Sequence, residues 1–427
     1  MRRSSLLLAP CLALLALALL PACAGAWSAP CAPGGGPRCE WWSARTTFIA
    51  DGDTIRVQVG GRPETIRFTG INAMELHRYS KYASRRRGDC HGVEATAVVE
   101  RAIRASHGEV RLAAQHASSR TGHRLRRSVW AKVDGSWQDL SRLELERGLV
   151  LWLPNEDEWA HNRDYHELAE KAARERRGLY DPAACGRGPD QDLPISVVVN
   201  WDADGADSAN LDDEWADIVN GGPRPLRLGG WWFRDSWLNV DRRTGRPGYS
   251  FPSSAVVPAG GRLRLHMGCG HDTASSLHWC QHSTVFENVT IGPPELGDGG
   301  YLFDPDGDLR ASMIYPCLVA CTDPLLGKVE LQVHASAPEA VLLRNTSDEA
   351  IDVAGYILRL GVRGSRESFV FSEHLPPSST IPLHGVRDLT PDRGGGYGFA
   401  DGGGVMQLVT PDDIVIACDA WGYGRCG

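Results

Sequence analysis

The sequence predicts a β-rich protein of several domains, in which one mixed domain of strands and helices precedes two tandem β-sandwiches. At 427 residues, the chain is too long for a single ordinary hydrophobic core. Its 48 glycines, 26 prolines and 14 tryptophans favour many short strands and turns over long helices. Its second half also contains two copies of one pattern of short alternating strands, which is typical of sandwich domains.

The N-terminus has the pattern of an export signal over residues 1–23. Two arginines precede an apolar run from Leu6 to Leu20 that is short for a membrane span. The following residues 20–23, LPAC, are similar to the lipobox of bacterial lipoproteins, in which the cysteine, here Cys23, is acylated. Plain cleavage shortly after it is the alternative. We therefore expect a secreted or extracellular protein, either released or anchored to the cell membrane as a lipoprotein, with a linker over residues 24–43.

The cysteine count agrees with export. Ten cysteines remain beyond Cys23, and an even number in an exported chain favours disulfides over thiol chemistry. The same argument favours a disulfide over a zinc site in GCGHDTASSLHWCQH, residues 268–282. Proximity along the sequence predicts four pairs and leaves a fifth as a long-range pair: Cys31–Cys39, Cys269–Cys280, Cys317–Cys321, Cys418–Cys426 and Cys90–Cys185.

The net charge of −8 is distributed unevenly. Residues 44–187 hold 25 Lys and Arg against 20 Asp and Glu, whereas residues 188–427 hold 17 against 32. A polyanion should therefore meet the first half of the chain, because the acidic second half repels it.

The mixed domain is predicted over residues 44–187. It begins with a hairpin in which two alternating apolar runs flank a turn at Gly60-Gly61. Apolar residues at helical spacing predict one helix over residues 93–106, and a second follows over residues 164–182. A polar segment with Gly and two Pro, residues 185–194, reads as the linker that ends the domain.

Beyond this linker the chain repeats itself. EWADIVNGGPRPLRLGGW begins at Glu214 and EAVLLRNTSDEAIDVAGY begins at Glu339, with matched residues at a constant offset of 125. The offset shrinks further on, as differences in loop length between two copies of a domain would produce. The sequence therefore predicts β-sandwiches over residues 195–316 and 326–427.

Polar side chains gather at the base of the hairpin. Asp53 enters the first strand, Arg67 lies in the return strand, and Asn72 and Glu75 follow it. The turn at Gly60-Gly61 puts Asp53 nearly opposite residues 68 to 70, so the polar set converges on one rim of a barrel. The predicted interior consists of Ile55, Val57, Val59, Ile66 and Phe68.

These residue types suit the hydrolysis of a phosphodiester bond. Carboxylate and carbonyl oxygens are the ligands that calcium, a hard cation, prefers. A further carboxylate can orient or deprotonate water, and guanidinium groups bind phosphate bidentately.

Five motifs, in this order, resemble the staphylococcal nuclease (thermonuclease) family: ADGDTIRV, IRFTGINAMEL, GVEATAVVERAI, TGHRLRRSVWAKVDGSWQDLSRLELERGLVLWLPN and HELAEKAARERRGLY. The match spans residues 44 to 182, roughly the length of that domain. The resemblance implies a five-stranded OB-type barrel with packed helices and a calcium-dependent phosphodiesterase site.

The resemblance also implies the role of each site residue. Asp53 and Asn72 are expected to bind Ca²⁺, with Asn72 at a position where the family usually has an aspartate. Glu75 matches the glutamate that is often assigned as the general base, and Arg67 and Arg126 match two phosphate-binding arginines. Because Asn72 removes a negative charge from the metal site, we expect weaker calcium binding, which Asn72→Asp would tighten.

The two predicted sandwiches resemble the lamin-tail domain, which is immunoglobulin-like and in bacteria often accompanies exported hydrolases. The resemblance rests on EWADIVNGGPRPLRLGGWWFRD, YSFPSSAVVPAGGRLRLHMGCG and GDGGYLFDPDGDLRA in the first copy; the second copy is degenerate. Two acidic stretches, NWDADGADSANLDDEW and DPDGD, are similar to calcium loops, although Asp-capped turns are the favoured interpretation.

The sequence therefore predicts an exported calcium-dependent endonuclease that cuts DNA and RNA with little sequence preference and leaves 3′-phosphates. The alternative is a non-catalytic OB-fold module that binds nucleic acid or a partner and is displayed at the cell envelope by lamin-tail domains.

Overall fold

The structure is a computed structural model. It describes residues 26–76, 89–181, 183, 193–203, 206–241, 246–290, 292–336, 340–348, 351, 353, 356–361, 367–370, 386–389 and 399–426. The predicted export signal with Cys23, and most of the predicted linker at residues 185–194, lie outside these residues. Within the described part of the chain, no helix has the length and apolar character needed to span a membrane.

In the described part of the chain, the first folded unit contains ten strands and three α-helices. The strands are β1 (Trp27–Ala32), β2 (Gly35–Ile49), β3 (Thr54–Val59), β4 (Arg62–Phe68), β5 (Ile71–Asn72), β6 (Glu109–Ala114), β7 (Arg120–Thr121), β8 (Arg124–Val133), β9 (Ser136–Asp139) and β10 (Leu151–Trp152). The helices are α1 (Asp89–Ala105), α2 (Leu140–Glu146) and α3 (Asn162–Arg174). Helices α1 and α3 confirm the two predicted helices, although α3 ends before the predicted residue 182.

Five strands close into a barrel. They pair in the order β2-β3-β4-β8-β6, and β2 pairs again with β6. The predicted interior residues Ile55, Val57, Ile66 and Phe68 are buried, because successive strand residues point to opposite faces. The three helices cover the barrel and share its hydrophobic core through residues such as Val99.

The predicted linker over residues 24–43 is wrong, because the chain forms a β-hairpin from Trp27 onward. β1 pairs with the first part of β2, and the disulfide Cys31–Cys39 links the two strands. Residues 40–45 of β2 then pair with β6 and form one wall of the barrel. The barrel wall therefore begins at residue 40, and the hairpin that leads into it begins at Trp27, so both precede the predicted start at residue 44.

Two four-stranded sheets and two two-stranded sheets, here together called the first sheet pair, follow the barrel. Their strands are β11 (Ile195–Asn200), β12 (Trp215–Asn220), β13 (Leu226–Arg227), β14 (Trp232–Arg234), β15 (Val240–Asp241), β16 (Arg246–Pro247), β17 (Tyr249–Ser250), β18 (Val256–Val257), β19 (Arg262–His266), β20 (Ser276–His278), β21 (Asp298–Phe303) and β22 (Leu309–Tyr315). The larger sheets have the orders β11-β12-β19-β20 and β17-β14-β21-β22. Both contribute to one hydrophobic core.

The second sheet pair repeats this arrangement. Its strands are β23 (Val329–His334), β24 (Ala340–Asn345), β25 (Ile357–Leu360), β26 (Glu367–Val370), β27 (Val386–Leu389), β28 (Gly403–Val409) and β29 (Val415–Gly422). Their orders, β23-β24-β27 and β26-β25-β28-β29, match β11-β12-β19 and β17-β14-β21-β22 strand for strand. β12 and β24 lie at the predicted offset of 125 residues, as do the starts of β14 and β25.

Four of the predicted disulfides are confirmed: Cys31–Cys39, Cys269–Cys280, Cys317–Cys321 and Cys418–Cys426. The fifth, Cys90–Cys185, falls on side chains outside the described part of the chain.

The sheet β17-β14-β21-β22, here called the docking sheet, is buried on both faces. Phe233 and Leu302 point into the core of the first sheet pair, whereas their neighbours Trp232, Tyr301 and Phe303 pack into the core of the barrel. This alternation follows from the two-residue period of a strand. The barrel and the first sheet pair are therefore joined by a continuous apolar interface.

Polar pairs surround this apolar contact. Asn162 Nδ2 donates to the Pro294 carbonyl at 2.7 Å, and the His91 ring lies 3.5 Å from the Asp308 carboxylate. Both members of the second pair are buried, which fixes the relative position of α1 and the loop before β22.

The interface predicts that Trp232→Ala destabilises the two units together. Loss of a buried tryptophan costs about 3–5 kcal/mol, and here the cavity opens between barrel and docking sheet. The nearby Trp237→Ala removes a side chain that is 36% exposed and should cost about 0.5 kcal/mol or less. Calorimetry of the full chain measures both; equal effects of the two substitutions would contradict the interface.

Candidate functional site

Asp53 lies at one rim of the barrel and is almost completely buried, with 1% of its surface exposed. Its Oδ1 accepts hydrogen bonds from Thr54 Oγ1 at 2.8 Å and from the Arg67 guanidinium. Its Oδ2 accepts the backbone N–H of Ala73 at 2.7 Å. One carboxylate therefore joins the start of β3, the end of β4 and the residue after β5.

The hairpin register produces this convergence. The turn at Gly60-Gly61 pairs Val59 with Arg62 and Thr54 with Arg67. The Phe68 N–H donates to the Asp53 carbonyl at 2.7 Å, so Asp53 stands opposite residue 68, as predicted.

The two predicted phosphate-binding arginines lie side by side. β4 and β8 are parallel, and Arg67 is the register partner of Arg126. Arg126 Nε donates to Thr121 Oγ1 at 2.5 Å, which fixes the side chain beside the rim. Burial, opposed by the charges of Asp157 and Glu158 and assisted by that of Arg67, lowers the pKa of Arg126. Two guanidinium groups therefore face one region despite their mutual repulsion.

Asn72 reaches the same rim but is engaged by another unit of the protein. It is 8% exposed, and its Nδ2 donates to the Ser236 carbonyl of the first sheet pair at 3.0 Å. The next residue, Ala73, supplies the N–H that binds Asp53.

Glu75 lies at the surface of the rim. Partial loss of hydration and the negative charge of Asp53 raise its pKa, whereas Arg67, Arg124 and Arg234 lower it. All five predicted site residues thus belong to one region, with Asp53 and Arg67 in direct contact.

Asp51 is a rim residue that the predicted site did not include. Loss of hydration, followed by the charges of Asp53 and Glu75, raises the pKa of Asp51 to about 8. Its Oδ1 accepts the Asp53 N–H at 3.1 Å. The sequence could have indicated Asp51, because it belongs to the same DGD motif as Asp53 and only Gly52 separates the two.

A cleft of about 420 Å³ opens beside Thr54. Arg124 Nη1 lies 3.4 Å from Thr54 Oγ1, and the cleft is lined by Ala50, Thr54, Arg56, Thr65, Thr121, Gly122, His123 and Arg124. Its volume is in the range of ligand sites, and its two arginines favour an anionic ligand.

Glu144 of α2 is fully buried behind the rim, and neither of its carboxylate oxygens has a hydrogen-bond partner among the described residues. Burial and the charges of Asp53, Asp51 and Asp139 raise its pKa well above the ordinary value. A Cβ at Gly52 would lie 2.9 Å from Glu144 Oε1 and 2.7 Å from Ala95 Cβ, so only glycine fits there. The spacing of four residues from buried Leu140 was the signal that Glu144 faces inward.

The rim residues fit a calcium ion. Among the described residues, Thr54, Arg67 and Ala73 use three of the roughly four acceptor positions of the Asp53 carboxylate, which leaves one for a cation. Loss of hydration and the charge of Asp53 raise the pKa values of Asp51 and Glu75, and a divalent cation would offset the second of these effects.

Among the described residues, one group places three His, Cys, Asp or Glu ligand atoms within 4.8 Å of one another: Glu170, Cys317 and Cys321. Because its cysteines form a disulfide, it lacks the thiolates that a soft metal needs. Asp53 and Glu75 do not belong to such a group.

Two further sequence features are structural. Cys269 and Cys280 of the suggested zinc motif form a disulfide. In DPDGD, Asp304 Oδ1 accepts the N–H groups of Asp306, Gly307 and Asp308, which is the favoured Asp-capped turn.

No protein-family model and no curated protein matches the chain. Its function is therefore inferred from its own residues.

Glu144 predicts a pH-dependent instability. Because the folded pKa is raised, folded Glu144 keeps a proton that the unfolded chain releases above 4.5, so stability falls as the pH rises past that value. Glu144→Leu should stabilise the protein by about 1–3 kcal/mol, more at pH 8 than at pH 5.

Urea unfolding at the two pH values measures this difference. Glu146→Gln is the matched control, since Glu146 lies on the same helix in an exposed pair with Arg142. A gain that does not depend on pH would contradict the buried, protonated state of Glu144.

Proposed function

We propose that the protein is an exported, calcium-dependent endonuclease that hydrolyses phosphodiester bonds in DNA and RNA with little sequence preference and leaves 3′-phosphates. The observation that supports this proposal most strongly is that Asp53, Arg67, Arg126 and Glu75 lie together at one rim of a closed five-stranded barrel. We further propose that the barrel is of the OB type found in the staphylococcal nuclease family, and that both sheet pairs are immunoglobulin-like sandwiches of the lamin-tail type.

The arginines would bind the scissile phosphate. Arg67 and Arg126 lie on adjacent strands, and their guanidinium forks suit two phosphoryl oxygens. Their charge would stabilise the extra negative charge of the transition state, where one such donor contributes about 3–4 kcal/mol. The neighbouring cleft with Arg56 and Arg124 would hold an adjoining nucleotide.

Glu75 would orient the attacking water and accept its proton. Loss of hydration and the charge of Asp53 raise its pKa, which makes it a stronger base than an ordinary carboxylate. Asp53 and the Asn72 carbonyl oxygen would hold Ca²⁺, which when bound supplies positive charge at the phosphoryl oxygens.

Export is supported by the four disulfides, which persist in oxidising environments. We propose secretion, with the protein either released or anchored to the cell membrane through Cys23.

A specific observation also favours the second candidate, a non-catalytic module that binds nucleic acid or a partner. Asp53 and Arg67 already neutralise each other, and Asn72 is engaged by Ser236. Such a module would bind single-stranded DNA without cutting it, and chelator would leave the binding unchanged.

The proposed activity predicts that the purified protein cuts fluorescent single-stranded DNA with calcium and not with chelator. Arg67→Ala should lower kcat by about 10²–10³-fold, because it removes one transition-state donor. Arg62→Ala is the control, since Arg62 is exposed at the far end of the same strand. Intact DNA in the presence of calcium, at any protein concentration, would favour the module instead.

Calcium should also raise the unfolding temperature, and more at pH 8 than at pH 5. The carboxylates of the rim must be ionised to bind a cation, and the pKa of Asp51 lies near 8. Differential scanning calorimetry with calcium, and with magnesium as a control for general ionic effects, measures the shift. A calcium effect that is larger at pH 5 would contradict a carboxylate site.

A further inference from the structure

We infer that the first sheet pair supplies positioning residues for the proposed metal site: the Ser236 carbonyl, braced by Arg234, fixes the Asn72 amide so that its oxygen alone is available to a cation. This inference rests on the proposed function and deepens it. The site is then built from two folded units, the barrel and the first sheet pair, and neither holds it alone.

The Ser236 carbonyl accepts two hydrogen bonds. One comes from Asn72 Nδ2 at 3.0 Å and the other from Arg234 Nη2 at 2.8 Å. Because a carbonyl oxygen has two lone pairs, its acceptor capacity is filled. The Ser236 N–H in turn donates to Asp298 Oδ1 at 3.2 Å, so both polar groups of this peptide residue are held.

Arg234 is itself fixed. It is 2% exposed, and its Nε donates to the Asp235 carbonyl at 2.8 Å. Burial, assisted by the nearby charge of Arg67 and opposed by that of Asp235, lowers its pKa to about 10. A guanidinium group of the first sheet pair thus stands within electrostatic reach of Arg67 of the barrel.

The orientation of the Asn72 amide follows from its partner. A carbonyl oxygen can only accept, so the amide must present its nitrogen to Ser236. The amide nitrogen is not a metal ligand, which leaves Oδ1 as the only side-chain atom of Asn72 that can bind a hard cation. The adjacent Ala73 N–H binds Asp53, so the ligand and the acid share one short stretch of backbone.

This contact accounts for an amide where the family usually has an aspartate. A carboxylate at residue 72 would place an anionic oxygen against the Ser236 carbonyl oxygen, and neither atom could donate. The interface therefore selects asparagine. It also reverses the expectation from sequence alone that Asn72→Asp would tighten calcium binding.

The docking sheet makes the contact rigid. Ser236 follows β14 by two residues, and β14 packs its Trp232 into the barrel core. Positioning by a rigid, buried element is what a metal ligand requires, whereas a mobile loop would allow the amide to turn.

The test uses the full chain, with calcium itself as the probe. Calorimetric titration gives the calcium dissociation constant, and cleavage of single-stranded DNA at varied calcium gives the half-saturating calcium concentration and kcat. The variants are Asn72→Asp, Arg234→Gln and Arg234→Lys, with the exposed Arg227→Gln of the same sheet pair as control.

We expect Asn72→Asp and Arg234→Gln to weaken calcium binding about tenfold or more, as disturbing the groups that orient a metal ligand does, and Arg227→Gln to leave it unchanged. At saturating calcium, kcat of Arg234→Gln should stay within about twofold of wild type, because the residue acts through Asn72. Arg234→Lys keeps one donor for the Ser236 carbonyl, so its calcium affinity should lie between those of wild type and Arg234→Gln. A merely structural role would instead lower kcat at an unchanged half-saturating calcium concentration.

Asn72→Asp that binds calcium as tightly as wild type or more tightly would overturn the inference, and so would an unchanged calcium affinity in Arg234→Gln. If Arg234→Gln does not fold, Asn72→Asp decides alone, since asparagine and aspartate have nearly the same shape. Wild-type protein that binds calcium without cutting DNA would refute the nuclease, with the positioning role still decided by the dissociation constants. Wild-type protein that does neither would refute both.

Discussion

The structure of the site depends on the burial of one carboxylate. Asp53 is 1% exposed, and an anion removed from water must be surrounded by donors or a counter-ion. Thr54, Arg67 and Ala73 provide these contacts from three successive elements of the chain. The same contacts hold the rim of the barrel together. The residues that stabilise the fold at this point are therefore also those of the candidate site.

The second unit of the chain takes part in this arrangement. Because the docking sheet is buried on both faces, one set of its residues forms its own core and the alternate set joins the barrel. This attachment brings Arg234 and the Ser236 carbonyl to Asn72. We therefore regard the first sheet pair as a structural component of the site rather than a tethered accessory.

Local patterns predicted much of the fold. Strand alternation and the Gly60-Gly61 turn gave the barrel interior and the hairpin register, and proximity along the sequence gave four disulfides. The contact between the barrel and the docking sheet could not be predicted in this way, because residues that meet there, such as Asn72 and Ser236, are 164 residues apart in the sequence. The pairing of β2 with β6 is a tertiary contact that no local pattern encodes, whereas the hairpin of β1 and β2 is local and was missed.

The most direct test of the site is an experimental structure of the full protein crystallised with calcium and a nucleotide bisphosphate. The account predicts a cation at about 2.3–2.6 Å from an Asp53 oxygen and from Asn72 Oδ1, with phosphate against Arg67 and Arg126. Nucleotide bound elsewhere, or an Asp53–Arg67 pair that excludes both ligands, would contradict it.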